Sequence, residues 1–226
     1  MIRPSVFLTI FCSFSLIANV GNAQTDSELM ASGQWRDDTT GLIWMRCFAG
    51  QSWTGKGCSG EATKVRRFDA PKYVGIFNQA GGFANQTNWR LPTIVELASL
   101  RRCNKLYSSD TVTTELTANG YKQVKKEAIQ YVKVPSGKGI ISIPFACQDG
   151  HLSNNKNDPR NWRIDTKIFP AVFSSHEASL GYVASPSPSH VTQPLWSVNF
   201  WLNGTVSNVS SGYEYQVPVM LVRKDK

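Results

Sequence analysis

Apolar residues are concentrated once, in Val6 to Val20, and elsewhere come in short stretches with readable periods. Ala70, Tyr73, Val74 and Phe77 fall at i, i+3, i+4 and i+7, which predicts a helix with one apolar face. Asp69 is placed to cap its start and Gly81-Gly82 to stop it. A second helix is predicted from Thr93, because Glu96 three residues on completes a capping box. Its buried stripe is Ile94, Leu97 and Ala98, and it runs out near Arg102–Cys103.

Other stretches read as strands. Asp37 to Gly41 makes a turn, Leu42-Ile43-Trp44-Met45 a short apolar strand, and Gly50 to Gly60 a loop rich in Gly, Ser and Thr. In Trp196 to Phe200 large apolar residues alternate, as on a half-buried strand. Asn203-Gly204 predicts a two-residue hairpin turn, with Thr205 to Ser207 returning. Val217 to Arg223 makes a last strand, with Pro218 marking an edge or bulge. Between these regions Ile129–Val134 and Ile140–Ile143 read as a hairpin around Pro135 to Gly139. Asn154 to Asn161 is a polar loop, and Ala184 to His190 an extended Ser/Pro stretch. The fold class is therefore α+β, with two helices followed by a small antiparallel sheet.

The N-terminus changes this picture by subtracting from it. Arg3, the apolar Val6–Val20 run and small residues at Gly21-Asn22-Ala23 form a secretory signal, 1–23, with cleavage expected after Ala23. Cys12 lies inside that signal, but Ile10 and Phe11 before it are too bulky for a lipobox. The chain is thus expected to be exported (periplasmic, cell-surface or secreted), with 24–34 a loose leader and 35–226 a single domain. About 200 residues remain, enough for one well-buried core, and none of their apolar stretches is long enough to span a bilayer.

Export gives the cysteines their meaning. Cys47, Cys58, Cys103 and Cys147 remain after Cys12 is removed, and four cysteines allow three pairings. Proximity and the intervening turn residues favour Cys47–Cys58 and Cys103–Cys147. A four-thiolate zinc site lacks the short paired spacing such sites show, so no metal is expected.

The net charge of +8 favours acidic partners. Basic residues gather at Lys64, Arg66 and Arg67, at Arg101, Arg102 and Lys105, and at Lys122, Lys125 and Lys126, where sulfate or carboxylate groups could be held. For any one cluster the alternative is an ordinary solvated face. Trp201, Tyr213 and Tyr215 near the Asn203-Gly204 turn could stack on sugar rings, although large rings mostly serve burial. Acidic residues are sparse late in the chain, with only Glu177 and Glu214 between Asp165 and Asp225, which argues against calcium. Nucleic acid fits the charge but not export, and no recognition motif supports it. Catalytic signatures are missing: there is no G-x-S-x-G elbow, H-E-x-x-H, P-loop or dinucleotide fingerprint, and His151, His176 and His190 lack ligand spacing. No enzyme activity and no cofactor are expected.

The order of motifs resembles one family. Asp38-Thr39-Thr40-Gly41-Leu42-Ile43-Trp44-Met45-Arg46-Cys47 looks like the opening signature of the Lcl C-terminal domain family, named for a bacterial collagen-like adhesin. Gly50 to Trp53, Cys58 to Ala62, and Asn88-Trp89-Arg90-Leu91-Pro92-Thr93-Ile94-Val95-Glu96-Leu97 continue it. Ile168-Phe169-Pro170, Phe173 to Ser175, Trp196 to Phe200, Gly204 and Leu221-Val222-Arg223 complete the order. The resemblance covers about 35–102 and 164–224. It implies a C-type-lectin-like fold and, from the named adhesin, a non-enzymatic module that binds sulfated polysaccharide at the cell envelope. A structural or assembly subunit that binds an envelope protein is the alternative. The chain departs from the adhesin in having no G-X-Y collagen repeat, and from the family pattern in an individual insert at about 104–163. Within the Asn88–Leu97 run, Trp89 and Leu91 are expected in the core, Arg90 in an internal pair and Thr93 at the cap.

Overall fold

A computed structural model describes residues 24–66, 69–118, 120–136, 138–148, 162–170, 182–184, 196–201, 203–208 and 216–225. The expected signal segment 1–23, the 154–161 loop, residues 185–190 of the Ser/Pro stretch, Arg67, Tyr213 and Tyr215 lie outside these.

The chain opens with helix α1 (Asp26–Ala31), strands β1 (Gln34–Arg36), β2 (Leu42–Met45), β3 (Ser52–Trp53), β4 (Cys58–Ser59) and β5 (Lys64–Arg66), then helices α2 (Ala70–Gln79) and α3 (Ile94–Ser99). Two hairpins follow, β6 (Ser108–Thr117) with β7 (Gly120–Ile129) and β8 (Tyr131–Ser136) with β9 (Gly139–Pro144). The remaining strands are β10 (Tyr182–Ala184), β11 (Trp196–Val198), β12 (Val206–Asn208), β13 (Gln216–Pro218) and β14 (Val222–Lys224). Among the described residues the architecture is α+β, as expected, but the strands form several small antiparallel sheets rather than one.

Strand β2 organises the interior. It lies between β1 and β14 and is buried along its whole length, which explains why Leu42–Met45 is continuously apolar instead of alternating. Its residues serve two layers. Leu42 and Trp44 point into a core with Phe48, Ile94, Leu97, Phe169, Phe200 and Val222. Ile43 and Met45 point into a second core with Leu29, Val74, Trp89, Leu91, Val217 and Leu221. The Arg90 backbone adds to the far side of β14, exchanging 2.9 Å hydrogen bonds with Val222 in both directions.

Several expectations change. Residues 24–34 are not a loose leader: Thr25 and Glu28 form a reciprocal capping box on α1, and Leu29 is fully buried. Helix α3 carries the expected Thr93/Glu96 box but ends at Ser99, with Leu100 as C-cap. Asp69 occupies the N-cap position of α2 without a side-chain cap; its carboxylate takes Arg66 Nε at 2.8 Å, and Pro71 in the first turn removes one of the donors a cap would satisfy. The expected strand over Val217–Arg223 is two strands, because β13 pairs with β5 and β14 with β2. Pro218 sits in β13, opposite Lys64 of β5. Asn203-Gly204 is not a two-residue turn. The β11–β12 register continues through Asn199 to Thr205, so the loop is longer, with Gly204 at φ 60° inside it. The insert at 104–163 contributes the expected β8–β9 hairpin and also the ten-pair β6–β7 hairpin, which the sequence reading missed.

The disulfides are Cys47–Cys58 and Cys103–Cys147, the pairing favoured by proximity, with Cα atoms 5.5 and 5.2 Å apart. No helix among the described residues is long and apolar enough to cross a membrane.

Candidate functional site

Two of the motif arginines, Arg46 and Arg223, are buried, and Arg90 is held in an ion pair at the surface. Arg46 donates to the carbonyls of Ile168, Lys167 and Met30 at 2.7, 2.9 and 3.3 Å and stacks 4.2 Å above Trp53, with burial lowering its pKa. Arg90 grips Glu96 with two nitrogens on two oxygens at 2.8 Å. Burial raises the Glu96 pKa, but hydrogen bonds from Arg90 and the Thr93 backbone outweigh it and hold the carboxyl below its ordinary range. Arg223 is 1% exposed and donates to the side-chain oxygens of Gln34 and Gln24 at 3.0 Å, with Trp89 beneath it. These side chains hold the flanking segments onto the β1-β2-β14 sheet.

The second basic cluster is not one group of cations. Arg101 is turned inward, donating to the carbonyls of Pro144, Gly204 and Ala98 at 2.9, 3.0 and 3.2 Å. Burial pushes its pKa down to about 10, so it stays charged at neutral pH. It fastens the end of α3 to the exit of β9 and to the loop before β12, a structural role in place of the ligand contact expected for it. Arg102 points outward and pairs with Asp165 at 2.7 Å, while Lys105 pairs with Glu127 at 3.4 Å. Trp201 is half-buried and meets Trp162 edge to face at 4.9 Å, packed against the first core rather than held out for a sugar. Lys122, Lys125 and Lys126 lie on β7, with Lys126 paired to Glu115.

Lys105 lines a depression of about 270 Å³ together with Glu127, and Arg101 and Arg102 line one of about 130 Å³ together with Asp37 and Asp165, so the cations of the second cluster share their depressions with carboxylates. The first cluster faces a more open one. Strand β5 and helix α2 enclose an open depression of about 470 Å³, lined by Lys64, Arg66, Asp69, Lys72, Tyr73 and Ile76, with Gln216 of β13 on its rim. The elements place these groups by simple rules. In β5, Val65 turns into the second core, so Lys64 and Arg66 on either side of it turn out. In α2, Ala70 and Val74 are buried, which leaves Lys72 and Ile76 on the exposed side and Tyr73 at the boundary. Two cations from β5 and one from α2 therefore line the same depression, with the Tyr73 ring beside them. Asp69 is the acidic residue among the described ones that line it, and it holds Arg66 in place. Lys72 and Tyr73 are the additions that sequence reasoning missed. The apolar face of α2 was legible, but which of its outward residues would meet β5 depends on the docking of the two.

Among the described residues no three His, Cys, Asp or Glu side chains come together as metal ligands. The molecule is thus an α+β domain closed by two disulfides, with a basic cleft at one side. The chain belongs to the Lcl C-terminal domain family, whose model matches residues 33–223. No curated protein and no solved structure matches it. Trp44, Arg46, Cys47, Trp89, Arg90 and Arg223, among the residues on which the resemblance rests, are core and clamp residues. The match therefore identifies the scaffold, while the β5–α2 cleft draws mostly on positions outside the quoted motifs.

Proposed function

We propose that the mature protein is an exported, non-enzymatic module with a C-type-lectin-like scaffold, and that its β5–α2 cleft binds a sulfated, anionic polysaccharide at the cell envelope. The observation that carries this reading is the lining of one open cleft by Lys64, Arg66 and Lys72 beside Tyr73. A sulfate ester needs fixed positive charge and several donors, which Arg and Lys supply, and a sugar ring needs a flat apolar face, which Tyr supplies. An open, shallow depression suits one stretch of a polymer better than an enclosed small molecule. Two disulfides support export, since such bonds persist in oxidising compartments.

The test is binding of the oxidised mature protein to immobilised heparin, desulfated heparin and neutral glycans over a salt series. The proposal expects saturable, sulfation-dependent retention that weakens as salt rises. Equal retention on the desulfated polymer, or none near physiological salt, refutes it. The alternative, an assembly subunit that binds an envelope protein, is favoured by the exposed β6–β7 hairpin. It expects a stable protein partner and no glycan affinity.

A further inference from the structure

The β6–β7 hairpin is built of ten register pairs, from Ser108↔Ile129 to Thr117↔Gly120, and neither strand pairs with a further one among the described residues. An isolated two-stranded ribbon of this length is marginal in water. Its exposed apolar residues make that worse: Val112 is 55% exposed and Leu116 76%. Both lie on one face of β6, four register pairs apart.

The two edges differ. Strand β7 carries Lys122, Lys125 and Lys126, the kind of residue that blunts an edge against further pairing. Strand β6 carries neither lysine nor proline, and Thr111, Val112, Thr113, Thr114 and Thr117 give it the β-branched composition of a strand in a sheet interior. The phase of its hydrogen bonds follows from the base of the hairpin. Gln130 N–H donates to the Tyr107 carbonyl at 3.0 Å, so odd-numbered residues of β6 pair with β7 and even-numbered ones direct N–H and C=O outward.

We infer that β6 is a homodimerisation edge: two copies pair antiparallel through β6 about a two-fold axis at Thr114, giving the four-stranded order β7-β6-β6-β7. Outward-facing backbone exists only at even positions, so only registers that set even residues opposite even residues are allowed. Centring on Thr114 places Val112 opposite Leu116 of the second copy, twice by symmetry, on a continuous face. Asp110 falls opposite Ala118 of the second copy and Glu115 opposite Thr113, so no like charges meet. Through β7, centring on Lys125 opposes two lysines and centring on Val124 sets Lys122 against Lys126, while centring on Gln123 keeps the lysines apart but sets Lys125 opposite Tyr121 and Lys122 opposite Val124, with no apolar pair to match Val112 and Leu116. An isologous contact of this kind closes at two copies instead of propagating.

The test is the solution mass of the oxidised mature protein by light scattering across a concentration series, with Thr114→Pro and Gln123→Pro compared. Thr114 directs its N–H away from β7, so proline there spares the hairpin and blocks the second copy. Gln123→Pro makes the same change on the other edge. Wild type and Gln123→Pro are expected at twice the monomer mass, and Thr114→Pro at the monomer mass. A cross-link gives an independent readout should proline unfold the hairpin. Thr114→Cys is expected to form a disulfide-linked dimer far faster than Gln123→Cys, because paired Cα atoms at the axis would lie about 5.5 Å apart, within disulfide range. A monomeric wild type, or equal cross-linking from both positions, overturns the inference.

Discussion

Replacing Arg101 with methionine separates a structural arginine from a ligand-binding one. Its guanidinium makes three hydrogen bonds of 3.2 Å or less to carbonyls from three parts of the chain, Ala98, Pro144 and Gly204. Each such bond contributes about 1–1.5 kcal/mol net, and methionine keeps most of the stem packing but satisfies none of the carbonyls. The expected loss is about 3–4 kcal/mol, a large part of the stability of a domain this size. Arg102, the next residue, is the control. Its side chain is 66% exposed in the ion pair with Asp165, so Arg102→Ala should cost about 1 kcal/mol or less. Guanidinium unfolding followed by tryptophan fluorescence measures both, with Trp162 and Trp201 as nearby reporters. Polysaccharide affinity of the folded fraction should be unchanged by Arg101→Met. Unfolding of Arg101→Met within about 0.5 kcal/mol of wild type, together with lost affinity, would return Arg101 to the binding surface and refute this account of it.

The Glu96 carboxyl is held below its ordinary pKa in the folded state, so the stability it contributes is present above the unfolded value and is lost as pH falls through the acid range. Glu96→Gln should cost about 1 kcal/mol near neutral pH, and its midpoint should converge on that of wild type in acid; parallel pH profiles would exclude the Arg90–Glu96 clamp as the cause. Removing the Cys47–Cys58 bond by paired alanine substitution should cost about 3 kcal/mol and removing Cys103–Cys147 about 4, from the loop lengths they close. Thermal unfolding with and without reductant measures this, and no shift on reduction would contradict it.

What the sequence revealed was local. The Thr93-x-x-Glu96 box sets the start of α3 within four residues, and proximity picked out the disulfide pairing. The same signal at Thr25-x-x-Glu28 was present but lay beside the expected signal segment and passed for a leader. The β6–β7 hairpin had its cue in the Asn119-Gly120 dipeptide after the Thr-rich run Thr111 to Thr117, but the lysine-rich return from Lys122 to Lys126 does not read as a strand by its apolar pattern. The division of the last strand could not be read locally, because it depends on which partners, β5 and β2, lie beside Val217 and Val222. Charged residues were assigned to the surface by default, which misplaced Arg101: a side chain with five donors can be buried when enough carbonyls surround it, and those carbonyls come from residues up to 103 positions away. The basic site was legible as charge at Lys64 and Arg66, while its cleft shape required α2 to bring Lys72 and Tyr73 alongside.

The most direct measurement compares heparin affinity in two charge-reversed proteins of equal net charge, Lys64→Glu/Arg66→Glu/Lys72→Glu in the cleft and Lys122→Glu/Lys125→Glu/Lys126→Glu on the hairpin. If the β5–α2 cleft is the binding site, the cleft variant loses affinity by at least about tenfold, the loss of a single charge-assisted contact or more, and the hairpin variant stays near wild type. Equal losses in the two would mean that overall charge alone drives retention, and an unchanged cleft variant would contradict the assignment outright.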